Sequence, residues 1–190
     1  WDREALHDIF RGWRRIVDSY QPPRVLVAEA WLDNAYRLAR YLRPVELHTA
    51  FNFDFLASPW LPEAMRTMID ETIAAHQSVA AAPTWVLSNH DVARHVSRYA
   101  RPQIPGIRRF LDDFLDRPAD LELGTRRARA AILQMLALPG CAYVYQGEEL
   151  GLPEVEDLDE AALRDPMYRR SGMTSRGRDG CRVPLPWAGE

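Results

Sequence analysis

The chain has 190 residues, 47% of them hydrophobic and 27% charged, which is enough apolar material for a sizeable core and argues against disorder. Its 24 basic and 27 acidic residues leave a formal net charge of −3, which excludes an overall field that would gather nucleic acid or anionic lipid. Cys141 and Cys181 form no Cys-x-x-Cys pair and stand beside no histidine cluster, so neither a disulfide scaffold nor a zinc site is indicated.

A reducing, cytoplasmic location is therefore expected, with no metal and no cofactor. No apolar run approaches the roughly 18 residues that cross a bilayer, so no membrane association is expected. No signal peptide is visible, but the chain opens at Trp1 inside a helical pattern, which points to a natural start further upstream. All the basic residues are arginine, read here as coding bias rather than phosphate recognition.

In chain order, Leu6, Ile9, Phe10, Trp13, Ile16, Val17 and Tyr20 recur at the three-and-four spacing of one helical face, with Asp2 as the expected cap. Pro22 and Pro23 end that helix, and RVLVAEAW reads as a short strand buried on both faces. A short helix over 33–43 precedes a second strand, ELHTAFNFDF. Ser58 and Pro59 read as a helix start, because serine caps and proline needs no amide partner in the first turn. The stripe from Leu61 to Ile73 continues that helix.

PTWVLSNHD is the third strand, and a loop rich in Arg and Pro follows. A helix over roughly 125–138 then leads to the fourth strand, CAYVYQGEELG. This alternation of helix and strand predicts a parallel sheet covered by helices, an α/β architecture. From about 152 onward the periodicity is lost, and 152–190 reads as a long structured loop holding at most a short helical turn.

In parallel α/β folds functional groups collect at the carboxyl ends of strands. Here the four ends carry Glu29; Asn52 and Asp54; Asn89, His90 and Asp91; and Gln146, Glu148 and Glu149. Most such residues close strands as turn formers or caps. Glu29, flanked by Val27, Ala28, Ala30 and Trp31, is expected to be desolvated, which raises a carboxyl pKa as a proton donor near neutrality requires. A protonated acid, an ionised carboxylate and a histidine together suit glycoside hydrolysis. Trp31, Phe51, Phe53 and Trp85 fit equally a sugar-stacking surface or the core. No Gly-x-Gly-x-x-Gly follows any strand, which argues against nucleotide binding.

The motifs VAEAW, AFNFDF, VLSNHDVAR and YVYQGEELG, with the tail RSGMTSRGRDGCRVPLPW, resemble the alpha-amylase family of glycoside hydrolases, and within it the alpha-glucosidase and oligo-1,6-glucosidase branch. The resemblance covers nearly the whole chain. It implies strands five to eight of a (β/α)8 barrel, so that 1–190 is a partial catalytic domain. It further implies Glu29 as general acid/base, Asp91 as the carboxylate that grips ring hydroxyls, and His90 as its hydrogen-bonding neighbour. Asn89 and Arg94 take supporting substrate-binding roles, and Glu148 and Glu149 structural ones.

The family's nucleophilic aspartate, in a Gly-Phe-Arg-hydrophobic-Asp motif, has no match here. A retaining mechanism needs two carboxyls about 5–5.5 Å apart, and this chain supplies one. The implied whole protein is a retaining alpha-glucosidase acting on small alpha-glucosides, while the piece alone is expected to be inactive and to need the missing barrel half or self-association. A transglycosylating or sucrose-isomerising relative and a non-catalytic scaffold are the alternatives.

Overall fold

The computed structural model describes residues 2–32, 34–106 and 117–187. Helix α1 (Glu4–Asp18) leads to β1 (Val27–Ala28), α2 (Ala35–Arg40) and β2 (Thr49–Ala50). Two helices, α3 (Phe53–Ala57) and α4 (Pro62–Gln77), precede β3 (Thr84–Val86). Then come α5 (His95–Tyr99), α6 (Leu121–Ala137) and β4 (Cys141–Tyr143), and the described residues beyond carry α7 (Pro166–Arg170) and two short 3-10 turns, Glu160–Ala162 and Asp179–Cys181. The centre of the Arg- and Pro-rich loop, 107–116, lies outside the described residues.

The pairing is parallel, as expected, but the strands are two or three residues long and form two pairs rather than one sheet of four. β1 pairs with β2 in the register Ala28 to Ala50, and β3 pairs with β4 in the register Trp85 to Ala142. Between the pairs the Thr84 hydroxyl donates to the Ala50 carbonyl, so a side chain replaces the missing backbone ladder.

The expected second strand ends early because the Asn52 side chain accepts the Phe55 N–H at 2.9 Å and starts α3, a cap that turns the chain away from β geometry. The fourth strand likewise stops where Glu148 N–H returns to the Tyr145 carbonyl at 2.9 Å. Two expected caps are displaced. Asp2 does not cap α1; its carboxylate takes the Tyr41 hydroxyl at 2.8 Å and Arg37 Nε at 2.5 Å. Ser58 closes α3, and Pro62, in the first turn of α4, is the proline that starts that helix.

Two apolar clusters hold these elements. Phe55, Met65, Ile69, Trp85, Leu87, Tyr99, Ala131 and Met135 join α3, α4, β3, α5 and α6. Ala28, Leu38, Tyr41, Leu42, Leu47 and Ala50 join β1, α2 and β2, with Leu6 and Phe10 of α1 against them. Each large buried side chain contributes about 1.5–3 kcal/mol. Trp85 is fully buried and donates its indole N–H to the Pro139 carbonyl at 2.8 Å, so it belongs to the core and not to a sugar platform.

Candidate functional site

A third apolar cluster, Phe53, Leu56, Val86 and Val92 with Phe51 and Tyr143, ties three strand ends together. Val86 and Tyr143 are the last residues of β3 and β4, and Phe51 follows β2 directly. The end of β1 joins them through Phe51 N–H, which donates to the Ala28 carbonyl at 3.1 Å, and through Trp31, stacked on Phe53 with centroids 4.0 Å apart and planes 2° from parallel. Phe51 packs on Tyr143 at 4.6 Å. The carboxyl ends of the four strands therefore share one aromatic rim. Trp31 is half-exposed on it, while Phe53 is buried.

Asp91 is held on this rim by several hydrogen bonds. Its N–H donates to Asn89 Oδ1 at 2.8 Å, which closes the turn after β3 and engages Asn89 with its own segment. Its Oδ1 accepts Arg178 Nη1 at 2.8 Å and Arg182 Nη2 at 2.7 Å. His90 is exposed; its ring Nε2 stands 3.6 Å from Asp91 Oδ2, beyond a hydrogen bond, and its carbonyl accepts Arg182 Nε at 2.6 Å.

The two arginines come from the segment after β4, which folds back over the rim. Asp165, 5% exposed, holds Arg178 through Nε at 2.5 Å and Nη2 at 3.1 Å, and also accepts the Arg178 N–H at 3.0 Å. The Arg178 guanidinium keeps the Asp165 carboxyl well below the usual carboxylate range, and Asp165 in turn pushes Arg178 up. None of Arg178, Arg182 or Asp165 was singled out from the sequence. Arg178 and Arg182 lie in the tail motif RGRDGCRVPLPW, where charge alone gives no hint of a partner 87 positions away, and Asp165 lies ahead of it in a stretch without periodicity.

Arg94 corrects an expectation. It is 1% exposed and donates Nη1 to the Gln146 carbonyl at 2.9 Å and Nη2 to the Cys181 carbonyl at 3.1 Å, while its own N–H goes to Glu154 Oε2 at 2.8 Å. It is a buried staple between α5, the turn after β4 and the tail, with no face toward a ligand. Glu148 is also buried, with its Oε2 accepting the Tyr145 N–H at 3.0 Å and its Oε1 3.3 Å from His95 Nδ1. Glu149 accepts the Gly147 N–H at 2.8 Å.

Glu29 corrects another. It is exposed, as is Val27 beside it, because among the described residues β1 pairs on one side only. The desolvation expected from its apolar neighbours is absent. Glu29 lines a cavity of about 320 Å³ whose other walls come from α1, β1 and their neighbours, and Asp91 is not among them. Both carboxylates thus follow strands at the same end of the parallel pairs, but among the described residues no one pocket closes around both. No helix among the described residues is long and apolar enough to cross a membrane.

Comparison with known proteins extends this geometry. The alpha-amylase catalytic domain family matches residues 1–190. A probable alpha-glucosidase of Rhizobium meliloti is 37% identical over 144 residues, covering 75% of this chain and 22% of the relative. Maltase A1 of Drosophila melanogaster is 28% identical over 206 residues, covering 98% of this chain and 30% of the relative. Among solved structures, the alpha-glucosyl transfer enzyme XgtA superposes with a TM-score of 0.78 at 27% identity, covering 99% of this chain and 31% of that one. This chain thus spans less than a third of each of these proteins. With parallel strands, polar groups at their carboxyl ends and a family match along the full length, the chain belongs to the alpha-amylase catalytic domain family.

Proposed function

We propose that this chain is the acid-bearing part of a retaining alpha-glucosidase acting on short alpha-linked glucosides, corresponding to strands five to eight of a (β/α)8 barrel. Glu29 is the general acid/base, which protonates the departing glycosidic oxygen and later takes a proton from the attacking water. Asp91 holds ring hydroxyls through hydrogen bonds that tighten as positive charge develops at the anomeric carbon. His90 is placed to donate to a hydroxyl beside it. The nucleophilic carboxylate comes from residues outside this chain, so the piece alone is inactive. The two cysteines are unpaired, in keeping with a reducing, cytoplasmic setting.

The observation that carries the reading is the shared rim, on which Glu29 and the Asn89–Asp91 turn stand at the ends of parallel strands around one aromatic cluster. The reading also requires the open edge of β1 to be covered in the complete protein, where Glu29 and the nucleophile face one sugar. The test is to join this chain to upstream barrel units and change Glu29 to Gln. Turnover should fall by several orders of magnitude with sugar binding retained; near-normal turnover removes Glu29 from the mechanism.

A second reading, glucosyl transfer to another sugar instead of water, is favoured by the likeness to XgtA, described as an alpha-glucosyl transfer enzyme. Product analysis on maltose, isomaltose and sucrose separates the two.

A further inference from the structure

Asp91 has two oxygens, and both of its arginine bonds fall on one of them. The two guanidinium groups are not equivalent. Arg182 is anchored on the carbonyl of His90, within the same turn it serves. Arg178 is gripped from behind by Asp165 through both Nε and Nη2, with its own N–H on the same carboxylate. Asp165 is held in turn, for its N–H donates to Asp179 Oδ2 at 2.9 Å and its Oδ1 accepts the Met167 N–H at 3.0 Å. The tail fits tightly here. Gly177 has φ of +67°, and a Cβ on it would lie 3.0 Å from the Asp165 carboxylate, so Asp165 and Arg178 are locked by backbone as well as by charge.

We propose that Arg178 is a positioning residue. Fixed by Asp165, it holds Asp91 Oδ1 in place and so turns Oδ2 toward the ring hydroxyls of the sugar. Arg178 acts through Asp91 and does not touch the substrate. A planar fork suits this task, since it joins two carboxylates at fixed angles, whereas an ammonium group is a point charge without that geometry. The inference rests on the functional reading above, because it concerns how Asp91 meets a sugar.

Two experiments test it. In this chain joined to upstream barrel units, Arg178→Met should lower kcat by about tenfold or more while KM for a disaccharide moves less than about threefold, the pattern of an interaction felt in the transition state. Arg178→Lys should recover only part of the loss. In an Asp91→Asn background the same Arg178→Met change should cost less than about twofold, because residues acting as a unit are not additive. An undiminished loss in that background overturns the inference alone; normal turnover of Asp91→Asn overturns the functional reading and the inference with it.

The second experiment uses the 190-residue chain by itself. The Arg178 Nε–H resonance should exchange slowly with solvent, and Asp165→Asn should abolish that protection. Fast exchange in the unmutated chain overturns the inference whatever the kinetics show.

Discussion

Glu154 sits where burial works against its own charge. Desolvation pushes its carboxyl up to about 7, against the opposing pull of the Arg94 N–H and guanidinium and of Arg98, and Glu156 nearby pushes the same way as burial. The folded chain thus holds this proton more tightly than the unfolded one, whose carboxyl titrates near 4.5. Stability from this group is therefore full in acid and is lost as pH rises through about 7, by an amount on the order of 3 kcal/mol. Glu154→Gln keeps an acceptor for Arg94 and removes the charge. Urea unfolding midpoints of the variant should exceed those of the parent at pH 8 and approach them at pH 5; a variant weaker at pH 8 would mean that pairing with Arg94 outweighs burial.

At this scale the sequence was informative where chemistry follows chain position. Asn89, His90 and Asp91 are at the end of a parallel strand because they follow an apolar run, and the alternation of elements said so. Arg94 was misread because a buried arginine stapling carbonyls has the same letter as one reaching for a ligand. Arg178 and Asp165 were invisible because their partners are set by the path of a loop without periodicity.

Among elements, the long helices were legible and the strands were over-read. α4 and α6 repeat their buried residues, Met65, Ile69, Thr72 and Ala128, Ala131, Met135, at helical spacing within helices of 16 and 17 residues. The strands have only two or three paired residues, and an apolar run does not reveal where pairing ceases and a cap such as Asn52 takes over. The contact of α5 with α6 supplies a prediction at this level. Gly124 of α6 lies so close to α5 that a Cβ would stand 2.5 Å from the Val96 carbonyl oxygen and 2.7 Å from Ala100 Cβ. Alanine normally gains about 1 kcal/mol over glycine inside a helix. Here overlap with backbone outweighs that gain, and Gly124→Ala should destabilise the chain by about 1–3 kcal/mol. Thermal or urea unfolding checks this, and a stabilised variant would show that the two helices separate without cost.

For the whole molecule, the α/β class was readable because alternation is a global pattern that survives errors in each boundary. Incomplete cover was expected too, but not which side chains it leaves exposed. Among the described residues β1 and β4 each pair on one side only. The helices beside them carry exposed apolar side chains: Ile9, Trp13 and Ile16 on α1, with Tyr20 just past its end, and Leu133 and Leu136 on α6. Val25, Val27 and Val144 are exposed along the same two edges. Four of the seven residues that the sequence assigned to the first helical face, Ile9, Trp13, Ile16 and Tyr20, therefore meet water.

An uncovered parallel edge flanked by apolar helix faces is a template for association, and natural proteins cover such edges. The chain on its own should accordingly sediment as concentration-dependent oligomers and bind a hydrophobic dye, and Trp13→Glu should reduce both without altering far-ultraviolet circular dichroism. Joined to upstream barrel units, the same chain should be monomeric through these surfaces and unfold at a higher temperature, because the faces that drive association become interior. If the isolated chain is instead monomeric and dye-free at every concentration, its two edges are protected without a partner, and the partial-barrel reading loses the physical need on which it stands.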